Sequence, residues 1–378
     1  MLALAAVLSI FVYGIIAAML GTIMPTFSLL SSEQKGTIAL AQALGLVVSS
    51  IAAGPLIDLR GKKTALVLGL SLTTVALLLL TQVETFGPIA ALFFMLGVGG
   101  GMIVTAGNAL ANDIDSARRA PVLNIINLFF GLGGLLTPLL AANLLNDDRV
   151  SILYFAAGLA AVTLLVEILT RMPRPSGQVS FKPAEAKLVL GRPALYLLAL
   201  MLFFYVACEV GVWNWLKQYL ITQNIDAKTA GNILSLGFAL GLLIGRIVVS
   251  PILLRVSSIN VTLFSAIFMT AATFAMLRTS SPTGAWIAVF CAGLAMAPVF
   301  PTTLALVGDA FPNMTATAMG LAITCGWIGL AVSSPIIGFA AGADNSHLGG
   351  ALLIIPAFSA AMIVVNLLVR PALKTRPA

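Results

Sequence analysis

Long uninterrupted runs of apolar residues are the feature that most restricts the fold of this chain. A helix that crosses a bilayer needs about 20 apolar residues, and at least twelve runs of that order follow one another along the 378 residues. Only 9% of the residues are charged, against about 25% in a soluble domain. The sequence therefore predicts an all-α membrane protein of twelve transmembrane helices, at 2–26, 36–57, 64–83, 87–112, 121–145, 150–170, 194–221, 229–254, 259–278, 283–307, 315–340 and 348–369.

Lysine and arginine are distributed by membrane side. If the first helix runs from inside to outside, fourteen of the twenty basic residues lie on the cytoplasmic side, and Lys35, Arg149, Lys217, Lys228 and Arg278 lie outside. The opposite orientation would break the positive-inside rule. We expect a multi-pass protein of the cell (inner) membrane with both termini cytoplasmic. The net charge of +7 follows from this distribution and does not indicate a nucleic-acid partner.

One connection is long and polar, at residues 170–194, and it contains four prolines and five bases. It follows the sixth of twelve predicted helices, so it divides the chain into an N-terminal six-helix bundle (1–170), a cytoplasmic linker (171–193) and a C-terminal six-helix bundle (194–378). Helices 2 and 8 each carry a small residue and a proline near the inner end, then a base and a new apolar run. This weak internal repeat predicts two pseudo-symmetric bundles, as in transporters built from repeats.

The stretch GPLIDLRGKK, residues 54–63, concentrates charge between two apolar runs. Gly54 allows close helix approach, and a carboxylate at Asp58 can accept hydrogen bonds from helix N-termini or pair with a base. The pattern resembles the loop between helices 2 and 3 in the major facilitator superfamily. That resemblance implies contacts that form only when the inner mouth is shut, and we predict gating roles for Gly54, Asp58, Arg60 and Lys62. Arg246, near the inner end of helix 8, is predicted to act as a gate or structurally.

Helix 7 carries the most polar residues of any predicted span. Polar residues in lipid are costly and mark substrate paths. Tyr205, Glu209 and Trp213 recur at every fourth position and share one face, with Asn214 beside them. Glu209 is interpreted either as a ligand-binding or gating carboxylate or as an interhelical tie. The other deep carboxylate, Glu167, has Arg171 one turn further on and is interpreted as structural.

Amide side chains mark the helices of the first half. Asn108 lies in helix 4, Asn127 in helix 5 and Gln42 in helix 2. Amides both donate and accept hydrogen bonds, which sugar hydroxyls require, although amides also join helices structurally. In the second half Trp327 is a comparable candidate, and Pro298 and Pro301 are expected to break helix 10 twice and free backbone carbonyls at a cavity.

Four segments together resemble the fucose–galactose–glucose branch of the superfamily: YVACEVGVWNWLKQYL, IGRIVVSP, LNIINLFFGLGGLLTP and APVFPTTLAL. The resemblance implies twelve helices, alternating access and a hexose or deoxyhexose substrate. It directs the substrate-binding predictions to Glu209, Tyr205, Trp213, Asn214 and Asn127, and the polar positions Asn108, Gln42 and Trp327 join them. Relatives that couple to protons use carboxylates in helices 1 and 4. Helix 1 here has no acid, and helix 4 has none until Asp113 at its cytoplasmic end. Glu209 is then the only well-placed group for a coupling proton, and uniport, proton coupling and sodium coupling all stay open.

Other functions remain as alternatives or are disfavoured. An exporter of drugs or metabolites and an organic-anion transporter share the fold and are the alternatives. An intramembrane enzyme or receptor has no support, because the one histidine, His347, lies in a predicted outer loop. Cys208, Cys291 and Cys325 lie within apolar runs and are predicted core residues. We expect no catalytic residue, cofactor or metal site, and a monomer whose partners are lipid and a small solute.

Overall fold

A computed structural model describes residues 2–114, 119–172, 191–253, 255–279, 281–311, 315–342 and 345–374. All regular structure in these ranges is helical. The helices are α1 (Leu2–Ile23), α2 (Ser32–Arg60), α3 (Lys62–Leu80), α4 (Phe86–Ile114), α5 (Arg119–Asn143), α6 (Arg149–Leu169), α7 (Pro193–Thr222), α8a (Ala227–Asn232) and α8b (Leu240–Ile252), α9 (Ser258–Met276), α10a (Pro282–Met296) and α10b (Val299–Ala310), α11 (Thr315–Ala341), and α12a (Leu348–Ala351) and α12b (Ile354–Lys374).

The described helices confirm the prediction of an all-α membrane protein with twelve spans. Eleven segments are long and apolar enough to cross a bilayer, and the described apolar part of α5, Leu128–Asn143, is a shorter twelfth. Their outward faces carry large apolar side chains such as Phe264, Phe339 and Leu169. Exposed apolar surface on this scale requires lipid as the surrounding medium.

Local sequence sets the start and end of the helices. The Ser31 hydroxyl caps α2 by accepting from the backbone N–H of Gln34, while the Gln34 side-chain oxygen accepts from the backbone N–H of Ser31. This capping box satisfies two helix-end donors. Gly61 separates α2 from α3 by one residue at φ 88°, a left-handed conformation that suits glycine. The charged stretch at 54–63 is thus a tight junction between two spans.

The chain forms two compact units. One comprises Met1–Val179 and Asn214–Ser235, and the other comprises Ser180–Trp213 and Leu236–Ala378. The N-terminal unit thus includes the C-terminal end of α7 from Asn214 onward, α8a and the first residues of the following π-helical segment, Ile233–Ala239. The predicted boundaries at 170 and 194 stay a prediction, and the linker lies mostly outside the described residues.

Helices in the N-terminal unit cross at glycines. A Cβ placed on Gly97 of α4 would lie 2.0 Å from the Gln42 carbonyl oxygen of α2, and one on Gly45 of α2 would lie 2.2 Å from the Phe94 carbonyl oxygen of α4. Gly14 of α1 meets the Phe130 carbonyl oxygen of α5 at 2.2 Å in the same way. These backbones touch directly, so the glycines are required by packing.

The C-terminal unit repeats this arrangement. A Cβ on Gly241 of α8b would lie 2.4 Å from the Phe290 carbonyl oxygen of α10a, and one on Gly293 of α10a would lie 2.3 Å from the Phe238 carbonyl oxygen. Gly329 of α11 likewise meets α7 at 2.2 Å from the Phe203 carbonyl oxygen. The internal repeat that the sequence suggests faintly is therefore clear in the helix crossings of each unit.

Helix 10 is broken once, whereas the sequence predicts two breaks. α10a ends at Met296 and α10b begins at Val299, with Pro298 at the N-cap. Pro301 lies within the first turn of α10b, where backbone N–H groups have no intrahelical acceptor and a proline costs little. The second expected break was therefore wrong.

Candidate functional site

A polar cluster in the C-terminal unit lies on the face of α7 that the sequence selected. Glu209 is half-buried and interacts electrostatically with Arg246 of α8b. The indole of Trp213 and the hydroxyl of Tyr205 lie within hydrogen-bonding reach of the same carboxylate. Spacing on α7 aligns the three α7 residues, and α8b supplies the opposite charge. We call these four residues the α7–α8 cluster.

Aromatic rings flank the α7–α8 cluster. Trp213 packs edge-on against Phe238, with ring centroids 5.2 Å apart and planes at 75°. Tyr205 lies beside Phe300 of α10b, with centroids 6.2 Å apart. Phe300 follows the break in helix 10, so the break brings a ring to the cluster. Such rings present apolar faces next to hydrogen-bonding groups.

Two buried hydroxyls near this break lack ordinary hydrogen bonds. The Tyr205 hydroxyl approaches Glu209 and Arg246 without completing a bond of regular geometry, and the Thr302 hydroxyl is also unsatisfied. A buried polar group that is left unpaired costs free energy. A ligand that offers hydroxyls could satisfy both groups.

Arg246 has a partner in the structure that the sequence did not suggest. The sequence places it near the inner end of helix 8 and predicts a gating or structural role. The structure places its guanidinium with Glu209 and Tyr205 in the α7–α8 cluster. Its partner was missed because the two residues are 37 positions apart on different helices, and no short-range pattern links them.

Candidates outside the cluster are distributed over several helices. Gln42 is buried on α2 at the crossing with Gly97. The Asn108 amide donates to the Val104 carbonyl of its own helix at 2.9 Å, which occupies one of its donors. Trp327 is half-buried on α11, and Asn214 is buried on α7. Asn127 lies outside the residues whose side chains are described.

The α2–α3 junction is described in part. The surroundings of Gly54 and of the Asp58 side chain lie outside what the structure describes. Arg60 is exposed and Lys62 is half-buried. The neighbouring Lys63 donates to the carbonyl oxygens of Ile168 and Thr170 at 2.6 and 3.0 Å. A cation at the end of a helix is favourable, so the junction is anchored to the C-terminus of α6.

A second charged contact joins α7 to the turn between α5 and α6. Lys217 is 1% exposed, and its ammonium lies 2.5 Å from an Asp147 carboxylate oxygen and 3.3 Å from the Thr22 carbonyl oxygen. Asp147 has φ 55°, a left-handed conformation that Asp tolerates better than most residues. The sequence places Lys217 near the outer end of helix 7 but does not predict its partner. Asp147 lies in a turn, where no helical periodicity indicates which residues are close in space.

Neutral contacts continue this junction. The Asn143 and Asn232 side chains hydrogen-bond each other, which joins α5 to α8a. The Ser235 hydroxyl donates to the Leu135 carbonyl oxygen at 2.5 Å, and Gly231 lies against Ala142 and Pro138. We call the contacts of Lys217, Asn232 and Ser235 with α1, α5 and the α5–α6 turn the α7–α8a seal.

The described part of the chain contains neither a metal site nor a disulfide bond. No group of three or more histidine, cysteine, aspartate or glutamate side chains there could hold a metal ion. The three cysteines are free, and Cys208 is buried against Ser359 and the Ile355 carbonyl oxygen.

Comparison with known proteins gives one family and several relatives. The model of the Major Facilitator Superfamily matches residues 2–334. The chain is 25% identical over 354 residues to the glucose/mannose transporter GlcP of Bacillus subtilis, covering 89% of this chain and 86% of that protein. It is 23% identical over 229 residues to a TsgA homologue of Buchnera aphidicola, a match that spans 60% of this chain but only 58% of the relative.

Solved transporter structures share the fold, and two of them are those of NupG and FucP. The nucleoside transporter NupG superposes with a TM-score of 0.81 at 15% identity, covering 98% of this chain and all of the other. The fucose:proton symporter FucP of E. coli superposes with a TM-score of 0.68 at 17% identity, covering 97% and 98% of the two chains.

Proposed function

The chain belongs to the Major Facilitator Superfamily, and on that premise we propose that it carries a monosaccharide across the cell membrane by alternating access. It is a multi-pass membrane transporter of a small solute and not an enzyme. The charge distribution supports an orientation with both termini in the cytoplasm, in the cell (inner) membrane, and we propose that a monomer is the working unit.

The α7–α8 cluster is the observation that carries the sugar proposal. Its carboxylate and guanidinium balance each other, so the cluster offers hydrogen bonds in both directions without a net charge. The hydroxyl of Tyr205, which lies beside Glu209 and Arg246, and the unsatisfied hydroxyl of Thr302 supply further bonds, and Trp213 and Phe300 supply apolar ring faces. A neutral polyhydroxylated ligand matches this combination. GlcP, named as a glucose/mannose transporter, and FucP, named as a fucose:proton symporter, support hexoses as the class.

Further substrate contacts are proposed from both halves. Asn214 continues the polar face of α7 beyond Trp213. Gln42, Asn108 and Asn127 would contribute amides from the first half, and Trp327 would contribute an indole from α11. Each remains a proposal that substitution can test.

The α7–α8a seal supports alternating access. Its buried ion pair and reciprocal amides tie the ends of α7 and α8a to α1 and α5, and the charge asymmetry assigns this end to the outer side. We propose that these contacts close the outer mouth and break when it opens. At the inner side, Gly54, Asp58, Arg60 and Lys62 remain the proposed gating residues. Arg246 would combine its predicted gating role with its place beside Glu209.

The alternative substrates fit the cluster less well. Organic anions would need an uncompensated cation, and Glu209 offsets the charge of Arg246. Cationic drugs would need an uncompensated acid, and Arg246 offsets Glu209 in turn. No contact in the described structure favours an organic anion or a cationic drug over a neutral sugar.

Thermal unfolding of the purified protein with a panel of solutes tests the proposal. A ligand at about a hundred times its dissociation constant stabilises the folded state by about 2.7 kcal/mol, so D-glucose, D-mannose or L-fucose should raise the melting temperature. Gluconate and tetraphenylphosphonium serve as the anionic and cationic comparisons. Stabilisation by either of these ions, with none by the sugars, would refute the proposal.

Substitution then assigns the site. Glu209→Gln should abolish the stabilisation by sugar while the protein still unfolds cooperatively. Glu33→Gln, the same change at an exposed position in the first turn of α2, is the matched control and should respond to sugar as the unmodified protein does. Unchanged sugar binding in Glu209→Gln with a lower melting temperature would make Glu209 structural.

A further inference from the structure

Glu167 is a fully buried carboxylate that the proposed sugar site does not use. It lies on α6, three residues before the helix-ending Thr170, and is 0% exposed. The sequence suggests Arg171 as its partner, yet Arg171 is exposed and the Ser9 hydroxyl of α1 donates to Oε1 at 2.6 Å instead. The second oxygen, Oε2, is buried with no hydrogen-bond partner among the protein groups.

The charges around Glu167 leave it incompletely compensated. α6 packs against α3 and α1. Between Leu2 and Ile23, α1 has no ionisable group except Tyr13, and the charged residues of α3 are Lys62 and Lys63. Lys63 interacts electrostatically with Glu167, but its ammonium donates to the carbonyl oxygens of Ile168 and Thr170. No cation therefore bonds directly to this carboxylate in the described structure, and an ionised carboxylate buried in this way is costly.

We propose that Glu167 is a proton-binding site and that its protonation couples transport to a proton gradient; this rests on the proposed function. A proton from water adds to Oε2, forms one O–H bond and removes the negative charge. Loss of that proton to water restores the carboxylate. No other reactant is needed, and the ligand at this site is the proton itself.

Lys63 provides the link between this site and movement. When Glu167 is neutral, Lys63 is free to cap the end of α6, as observed. When Glu167 is ionised, the ammonium of Lys63 is drawn toward the carboxylate and away from the carbonyl oxygens of Ile168 and Thr170. Because Lys63 lies at the tight α2–α3 junction, proton release loosens the contact between that junction and α6. The coupling proton thus acts on the loop proposed to gate the inner mouth.

Reconstituted liposomes with labelled D-glucose or D-mannose test the coupling. In a one-to-one symporter, a gradient of one pH unit can support accumulation of about tenfold. The unmodified protein should accumulate sugar above equilibrium when the interior is alkaline. Glu167→Gln should exchange sugar across the membrane at a similar rate but never accumulate it. Glu33→Gln is the control for the same chemical change and should accumulate normally.

Two outcomes overturn the inference while leaving sugar transport intact: accumulation by Glu167→Gln, or uptake by the unmodified protein that ignores the pH gradient. If neither hexose is transported, the proposed substrate fails, and infrared titration of the protein still decides the site. The chain has 13 carboxyl side chains, so the titration of the unmodified protein is compared with that of Glu167→Gln. The difference should contain the protonated-carboxyl band of one group, and identical titrations of the two proteins would refute the assignment. Should Glu167→Gln not fold, Ser9→Ala keeps the carboxyl group and should shift the pH at which this band titrates, and an unshifted band would count against the inference.

Discussion

Loss of the charge on Asp147 should open the α7–α8a seal. Removing one partner of a buried ion pair costs about 3–5 kcal/mol. Here Asp147 is 18% exposed and Lys217 keeps the Thr22 carbonyl oxygen, so we expect a cost below that range, about 2–3 kcal/mol. Asn tolerates the left-handed backbone at position 147 as Asp does, so Asp147→Asn changes the charge and little else.

This cost applies only to the sealed form and therefore shifts the balance between forms. A penalty of 2–3 kcal/mol changes the equilibrium constant about 30- to 150-fold. If about 1% of molecules are open at rest, between about a quarter and about 60% should be open in Asp147→Asn.

Thiol labelling can measure the open fraction. Ser235 is fully buried in the seal, so a Ser235→Cys thiol reacts with a membrane-impermeant maleimide only after opening. With slow labelling the rate follows the open population, and Asp147→Asn should raise it at least tenfold. Labelling of Cys208, Cys291 and Cys325 is subtracted with the protein that lacks Ser235→Cys.

Two comparisons make this result specific. Glu84 pairs with Arg149 at the same end of the N-terminal unit, and its side chain is 65% exposed. An exposed pair contributes about 0–1 kcal/mol, so Glu84→Gln should leave the rate nearly unchanged. Lys217→Met leaves Asp147 unpaired, which is the more exposed of the two partners, so it should raise the labelling rate less than Asp147→Asn does. Equal rates in Asp147→Asn and Glu84→Gln would refute the reasoning.

Three further predictions address the site, the packing and the surface. Tyr205→Phe removes one hydroxyl near Glu209. Because a hydrogen bond contributes about 1 kcal/mol, this change should weaken hexose binding about fivefold, measured by calorimetric titration; unchanged affinity would exclude the hydroxyl from the site. Gly97→Ala should lower the melting temperature, since overpacking costs about 1–3 kcal/mol. Gly158→Ala, where a Cβ would meet nothing within 4 Å, should raise the melting temperature slightly. Equal effects of the two changes would contradict the close backbone contact between α2 and α4 at Gly97. Hydrogen bonds from Thr229 hold the pKa of Asp226 below its usual range, so its stabilisation of α8a is present above the unfolded pKa and lost as pH falls through the folded value. Asp226→Ser should retain the cap and flatten the acid limb of a melting-temperature profile, and an unchanged limb would contradict this origin.

The sequence predicts the spans well because each depends on local composition. Twenty apolar residues are favourable in lipid whatever they pack against, and eleven of the twelve predicted spans appear as helices of full length. The polar face of α7 could be predicted for the same reason, since residues spaced by four share one face of a helix whatever the helix packs against. Pro301 shows the limit of this reasoning, because its effect depends on where α10b begins.

Partners between helices could not be predicted, since nothing local encodes them. Glu167 and Arg171 satisfy the spacing of a helical ion pair, yet Ser9, 158 positions away, takes the hydrogen bond. Lys217 and Asp147 are 70 positions apart, and Glu209 and Arg246 interact across 37 positions from two different helices. The polar residues could be found from sequence as costly in lipid, but the pairs that they form required the fold.

The helix crossings give one more argument about Glu167. In the N-terminal unit the end of α6 meets the start of α3 through Lys63 and meets α1 through the bond from Ser9 to Glu167. In the C-terminal unit the start of α9 meets the end of α12b through Asn366, whose amide donates to the Ile259 carbonyl oxygen at 3.1 Å and to Thr262 at 2.7 Å.

The buried Asn366 oxygen has no hydrogen-bond partner, as is true of Glu167 Oε2. An amide with one unpaired buried oxygen is thus tolerated at that junction. In Glu167→Gln the amide oxygen can still accept from the Ser9 hydroxyl, so the variant should fold and melt within a few degrees of the unmodified protein. A variant that folds, exchanges sugar and fails to accumulate it would then have lost the coupling proton. A variant that unfolds would contradict this expectation of tolerance, and Ser9→Ala would then decide whether Glu167 binds the proton.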